Sequence, residues 1–315
     1  MKLVSKLALG AALCTGISGL ALAPAQAQPA AEEAVEFDAG EISEPVRAPV
    51  AAAQAALAAE PKDTATALSQ TQSAVPLIVN DDDRFIVGQM LIQVGAAMQT
   101  AGAADAQVMP LLLQGAQLSL QSNRVEIARR PALYILIGND AQEREDWPAA
   151  LAAYENALRY GPQNADAAIQ VANVQFRSNN IQAGYATIDR AIELKRASGQ
   201  PVPDNWIMVP LRYAAEARDL ARFNTYSEML LRAYGTEPDR WHDILFSYQN
   251  LAALDDQANL DMFRLARATR SIQEPNEFQE YVVLATTHGL PGEAQAAQNA
   301  GIAASAWPAG AEPTA

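Results

Sequence analysis

The chain is poor in the residues that staple folds or carry out catalysis. It holds one cysteine, Cys14, and two histidines, His242 and His288, in 315 residues. A single cysteine closes no internal disulfide. Because Cys14 lies inside an N-terminal apolar stretch with the features of a removable signal, the processed chain has no thiol for zinc ligation or nucleophilic catalysis. Aromatic residues make up only 6% of the chain while alanine is abundant, so its core depends on close backbone approach more than on large side chains. That favours packed helices over sheets.

Basic residues are also scarce, with 22 Lys plus Arg against 36 Asp plus Glu and a formal net charge of −14. Such a balance argues against attraction to phosphate backbones or anionic lipid headgroups, and no nucleic-acid partner is expected. Beyond the N-terminus no apolar run approaches the ~18 residues needed for a membrane span. The phosphate-binding GxxxxGK[ST] and GxGxxG patterns, the GxSxG elbow and the HExxH zinc motif are all missing. The expectation is therefore no catalytic residues, no metal and no cofactor.

What is present begins with an address. Residues 1–27 read as a secretory signal peptide: Lys2 and Lys6 start it, an apolar stretch follows, and Ala25-Gln26-Ala27 fits the small-x-small cleavage rule. Cleavage after Ala27 leaves 20 basic against 36 acidic side chains and no cysteine. A cysteine-free exported chain is held by hydrophobic packing alone, which suits the periplasm. Residues 28–47, rich in Pro, Ala and acid, read as a flexible leader that cannot offset its own ordering entropy.

From residue 48 the pattern turns helical. Two short helices divided by Pro61 open the stretch 48–130, expected to hold degenerate helical hairpins. Asp81-Asp82-Asp83 then precedes an amphipathic run. Carboxylates there satisfy free N–H groups and face the positive end of the helix dipole, whereas a calcium loop would need alternating acids and a central glycine.

A period then emerges. In residues 131–164, counted from Pro131, Tyr134 stands fourth, Ile137 and Gly138 seventh and eighth, and Ala150, Tyr154, Ala157 and Pro162 at the small, large, small and closing places. Residues 165–198 keep that 34-residue register with Val171, Ala172, Gly184, Ile188 and Ala191. Small residues allow two antiparallel helices to approach, Tyr134 and Tyr154 fill the volume left, and Pro162 stops the second helix. After a four-residue insertion, Trp206 and Tyr213 are seven apart, and Trp241 and Tyr248 repeat the pair 35 residues on. Arg222 stands where a small residue is expected, and Gln257 and Asp261 break the pattern further. Residues 199–304 are thus degenerate hairpins, the last running from Pro275 to Ala304, and 305–315 form a flexible tail.

These positions resemble the tetratricopeptide repeat, strongly over 131–164 and well over 165–198. More narrowly, Asn205-Trp206, the second Trp ahead of Tyr248 and the run Gly289 to Ala294 are similar to exported tetratricopeptide proteins of Gram-negative bacteria, some found with TonB-type systems. The resemblance implies an all-α fold, a right-handed α-solenoid of stacked antiparallel helix hairpins. It also implies a concave groove that binds a protein or peptide partner without catalysis of its own. Groove places of the two good repeats carry Asn139, Gln142, Asn173, Phe176 and Arg177; those of the later hairpin carry His242, Phe246, Gln249 and Asn250. Amides there can pair with an extended peptide backbone and the Phe rings can hold an apolar side chain; the same residues read equally well as polar surface with no fixed partner. Ile135 and Ile169 occupy the fifth places, where carboxylate-clamping relatives carry Lys, which disfavours that role. A glycan or small ligand in the same groove is the alternative, and Trp206, Tyr213, Trp241 and Tyr248 read as core before sugar platforms. His288 reads as a helix-end residue, complementary to the dipole.

Overall fold

The computed structural model describes residues 42–304 and Ala306, and among these it contains helices and no strand. The expected signal peptide, most of the leader and all of the tail but Ala306 lie outside the described residues. The chain divides into two compact units, Met1–Leu194 and Lys195–Ala315. The first contains α1 (Glu44–Ala58), α2 (Thr64–Ala74), α3 (Asp81–Thr100), α4 (Asp105–Gln121), α5 (Arg130–Glu143), α6 (Trp147–Tyr160), α7 (Ala165–Arg177) and most of α8 (Ile181–Ala197). The second contains α9 (Asp204–Glu216), α10 (Leu220–Tyr234), α11 (Pro238–Leu251), α12 (Asp256–Ala268), α13 (Pro275–Thr287) and α14 (Pro291–Ala303). Within each unit helices pair as hairpins and hairpins share apolar clusters, as Ile92, Leu112 and Leu133 do across α3, α4 and α5 and as Leu245, Phe263 and Tyr281 do across α11, α12 and α13.

The leader expected to reach residue 47 is shorter than its composition suggests. Helix α1 already begins at Glu44, and Val46 is fully buried. Pro45 falls in the first turn, where its missing N–H costs nothing. Ile42, Val46, Val50 and Ala53 then form a stripe that packs against Ile86 and Met90 of α3. Burial of that stripe offsets the ordering cost assigned to an acidic Pro/Ala segment.

Of the aspartates opening α3, Asp83 is fully buried. It completes a capping box with Asn80, and its carboxylate accepts from the backbone N–H of Ser43 (2.9 Å), Val79 (3.0 Å) and Asn80 (3.3 Å). Burial alone would raise its pKa, but the three donors outweigh it and hold the carboxyl below its usual value. Asp81 pairs with Arg84 and Asp82 with Arg124, so the acids serve the helix start and its surroundings.

Helices α3 and α4 meet backbone to backbone. A Cβ placed on Gly115 would lie 2.6 Å from the Gly88 carbonyl oxygen, and one on Gly88 would lie 2.8 Å from the Gly115 carbonyl oxygen and 2.5 Å from Ser119 Oγ. Only glycine permits this approach.

The two good repeats are keyed by glycine sockets. Gly138 of α5 receives the Tyr154 ring of α6, whereas in the next hairpin Gly184 of α8 receives the Phe176 ring of α7; an added Cβ would come within 2.5 Å and 2.9 Å of the two rings. Ala150, Ala157 and Ala191 are fully buried and Gly138 and Gly184 are buried, as the small-residue pattern predicts. Tyr134 is less deeply buried than Tyr154. It is half-buried and bridges to the end of the partner helix, its ring stacked on Tyr160 at 5.7 Å.

The turns repeat as well. Glu145 and Asn179, 34 residues apart, both adopt left-handed backbone (φ 59° and 60°). In each case the next residue's N–H reaches the carbonyl five residues back, Asp146 to Ala141 and Asn180 to Gln175, a Schellman closure. Arg218 (φ 54°) and Gly289 (φ 71°) repeat the turn in the second unit. Asp219 caps α10 as Asp146 caps α6, which sets this hairpin one residue later than a start at Pro203 implies. The small place is therefore Phe223, 1% exposed, and the Arg222 expected there pairs with Asp219. The last hairpin regains a socket, Gly301 of α14 against the Phe278 ring of α13.

Candidate functional site

The groove residues expected in the first unit divide into committed and free. Asn139 and Gln142 are brought together by the Tyr154 hydroxyl, which donates to Asn139 Oδ1 at 2.8 Å and lies 3.4 Å from Gln142 Oε1. Burial, with the charge of Glu143 adding to it, pushes the Tyr154 phenol above its usual range, so it stays a neutral donor. The Asn139 carbonyl is thereby engaged inside the hairpin. Phe176 is a correction to the groove assignment. At 2% exposed it fills the Gly184 socket and meets Tyr185 edge-on at 5.2 Å, because the glycine opens a space only an inward-turned ring can fill. Asn173 is half-buried, and its side chain makes no hydrogen bond among the described residues. Arg177 is exposed, with its guanidinium 5.3 Å from the Trp147 ring.

In the second unit His242 and Phe246 are neighbours, with ring centroids 4.7 Å apart, and Phe246 packs edge-on against Phe263 at 5.9 Å. His242 is not an open groove residue. Its Nδ1 sits 2.9 Å from the Ser271 carbonyl oxygen and 3.7 Å from Glu277, which ties α11 to the start of α13. Gln249 donates to Glu280 at 2.9 Å, and the exposed Asn250 donates to the Phe246 carbonyl. His288 is the C-cap of α13, with Nδ1 2.9 Å from the Leu284 carbonyl oxygen.

Three carboxylates, Asp105, Asp140 and Glu143, border a depression of about 260 Å³ beside α4 and α5. Asp105 and Glu143 are exposed, and Asp140 is held by Arg144 at 2.8 Å. They do not form the dry acid pair that hydrolysis of a glycoside requires.

The second unit has a larger opening that the sequence pattern did not reveal. A cleft of about 600 Å³ lies between α10 and α11, walled by Phe223, Leu231, Trp241, Leu245 and Tyr248. Leu265 of α12, 42% exposed, forms part of its edge. The hairpin α11–α12 is the cause: residues 238–268 contain no glycine, their connection lacks the left-handed turn, and the two helices pack less closely than those of the other hairpins in the second unit. The Trp241 indole N–H is used, donating to the Gly235 carbonyl at 2.8 Å. Ser227 is different. Only 6% exposed and lining the cleft, it has an Oγ with no hydrogen-bond partner. The sequence signal that could have pointed here is the lost small-residue pattern after Arg222 together with the glycine-free hairpin.

No described helix is long and apolar enough to cross a membrane. No protein-family model matches the chain, and no curated protein does. Among solved structures it is similar to the crystal structure of MamA protein, at 10% identity over 59% of this chain and all of that one, with a TM-score of 0.39. A second MamA crystal structure matches at 11% identity over 54% of this chain and 94% of that one, with a TM-score of 0.37. The crystal structure of the APC/C hetero-tetramer Cut9-Hcn1 matches at 14% identity and a TM-score of 0.31, over 78% of this chain and 51% of that one. The chain's own geometry carries the fold assignment: glycine-keyed hairpins with turns repeating 34 residues apart make this an all-α, tetratricopeptide-like stack of helix hairpins.

Proposed function

We propose that this chain is an exported, non-enzymatic scaffold of the periplasm that binds a protein or peptide partner. The observation that carries the reading is the pair of keyed hairpins in 130–197, which spend their rings and glycines inward and leave Arg177 exposed and the half-buried Asn173 amide without a hydrogen bond. Repeated rigid hairpins offer a preorganised surface, and chemistry that recognises an extended chain needs such amides and little else. The assignment narrows accordingly to Asn173 and Arg177 in the first unit and, taken by itself, Asn250 in the second, Gln249 being engaged with Glu280.

Site-specific photocrosslinkers at Asn173 and Asn250 in intact cells test this reading. One partner recovered reproducibly, and lost on Asn173→Ala or Asn250→Ala, is the expected outcome; recovery unaffected by either substitution refutes the groove. Fractionation with N-terminal sequencing tests the address. A periplasmic chain beginning at Gln28 is expected, and a chain that retains Lys2 and Lys6 overturns export. The glycan reading is the weaker one, because the cleft that contains Trp241 and Tyr248 offers a sugar few hydrogen-bonding groups.

A further inference from the structure

Contacts hold the starts of α1, α3 and α5 together at one end of the first unit. The Ser43 N–H, just ahead of α1, donates to Asp83 in the first turn of α3 at 2.9 Å. Asp81 and Asp82 of the same turn bind the connection from α4 to α5, through Asn123 and Arg124, both at 3.0 Å. Arg130 opens α5, donates to the Ser122 and Val125 carbonyls, and lies 5.1 Å from the ring centroid of Tyr160 at the end of α6. Val79 and Ile127, in the connections ahead of α3 and α5, are each 68% exposed, more than any other large apolar residue described. Arg84, Arg124 and Arg129 pair with Asp81, Asp82 and Glu126, but Arg47, Arg130 and Arg159 meet no carboxylate among the described residues. The charges of Arg130 and Arg159 both reach the Tyr134 phenol, so the two share a patch with the stacked Tyr134 and Tyr160.

We propose that this end is the docking surface of the chain's own acidic leader, residues 28–41. The leader carries Glu32, Glu33, Glu36, Asp38 and Glu41 with no basic residue, and its large apolar side chains are Val35 and Phe37. That composition is complementary to exposed apolar corners flanked by unpaired arginines in an otherwise acidic chain. The leader joins the helices at this very end, where Ile42 and Ser43 lead into α1. The order of chemistry agrees as well. From Ile42 outward the leader presents Phe37 and Val35 and then Glu33 and Glu32, while the end presents Val79 and Ile127 and then Arg130 and Arg159. From Ile42 back to Glu33 an extended chain reaches about 30 Å, more than the roughly 20 Å of the two helix spacings from α1 to α5. Exposed ion pairs contribute little by themselves, so burial of Phe37 and Val35 supplies the affinity and the arginines select the place. Tethering at Ile42 holds the segment at an effective concentration of about millimolar, which lets contacts this modest populate the docked form. The inference goes beyond the scaffold reading and does not depend on it.

The test is pulsed electron–electron distance measurement on the full chain from Gln28. That chain has no cysteine, so nitroxides can be placed on Ala31→Cys in the leader and Gln163→Cys, an exposed position just past α6. One narrow distance population is expected, against a spread of about 20 Å for a leader that touches nothing. Ile127→Ser and Arg159→Glu, both at exposed positions, should each lower the docked fraction at least about twofold with helical circular dichroism unchanged. Phe37→Ser, or a leader whose five acids are changed to Gln, should do the same, and these carry the test if a helix variant disturbs the fold. Arg159→Glu should have no further effect once the leader acids are neutral, a coupling that a merely structural role of Arg159 does not produce. The docking is overturned by a spread distance in the parent chain, or by a narrow one that Phe37→Ser or the neutral leader leaves unchanged. A narrow distance that vanishes on tenfold dilution with unlabelled chain assigns the leader to a second copy and overturns the contact within one chain. Partner crosslinking through Asn173 and Asn250 is read separately, so loss of the docking leaves the scaffold reading standing.

Discussion

Substituting Gly115 by alanine adds one methyl group where two helices meet backbone to backbone. The new Cβ would sit 2.6 Å from the Gly88 carbonyl oxygen, 2.8 Å from Ile92 Cγ1 and 3.1 Å from the Ile92 backbone nitrogen. Two of those three neighbours are backbone atoms of α3, so relief requires the helices to separate, not a side chain to rotate. Overpacking of this kind costs about 1–3 kcal/mol, and more where the walls are rigid. Against it stands the helix preference of alanine over glycine, worth up to about 1 kcal/mol. The balance is a net loss of about 2 kcal/mol. Gly292 supplies the control: it lies in the first turn of α14 with nothing within 4 Å of an added Cβ, so Gly292→Ala should be neutral or stabilising by up to about 1 kcal/mol. Urea unfolding followed by circular dichroism gives both values, and hydrogen exchange over peptides from residues 81–121 localises the first. The chain has two units, so exchange is the cleaner measure. If Gly115→Ala lies within about 0.5 kcal/mol of the parent, the backbone contact between α3 and α4 is not what holds that hairpin together.

Tyr154→Ala should cost about 3–5 kcal/mol in urea unfolding, as a buried ring removed from its socket, whereas Tyr154→Phe should cost only about 1 kcal/mol, the hydroxyl's bond to Asn139. Glu145→Gly should stabilise by about 0.5–1 kcal/mol by relieving a left-handed non-glycine, and Asn179→Gly by less, because asparagine tolerates that conformation; the same unfolding measurement ranks them. Asp83 titrates below its ordinary value in the folded chain, so its stabilisation is complete above about pH 4 and disappears as pH falls through the lower folded value; stability measured against pH should lose that acid slope in Asp83→Asn. Glu293, held low first by Arg264 against the pull of burial and then by the Tyr281 hydroxyl, predicts the same sign for Glu293→Gln in the second unit.

The hairpins of residues 131–198 were legible in the sequence because their determinants are local and periodic: a small residue recurring at fixed spacing identifies both helices and the turn between them. The Gly88 contact with Gly115 was not, since each glycine alone only weakens a helix and the reason for both lies 27 residues away. Helix α1 was hidden by its own composition, Pro45 and the acids masking a stripe that starts at Ile42. The groove residues were placed by repeat position, which says which face a residue shares but not whether its side chain turns inward. Phe176 turned inward because Gly184 left room for a ring, and Asn139 found Tyr154 across the same kind of gap. The cleft was the least legible feature of all, because it arises from what residues 238–268 lack.

The sockets are not placed alike: glycine is on the leading helix in 130–160, but on the trailing helix in 165–197 and in 275–303. In the 34-residue register Ala172 holds the place of Gly138 and Ala150 that of Gly184, so a leading helix transplanted between the first two hairpins would set the Tyr154 and Phe176 rings against alanines in one product and leave both glycines without a ring in the other. Helices here are therefore not interchangeable parts. Recombination that preserves this protein must move both arms of a hairpin at once, and grafts designed from it should be cut in the connections between hairpins and never at the left-handed turn inside one.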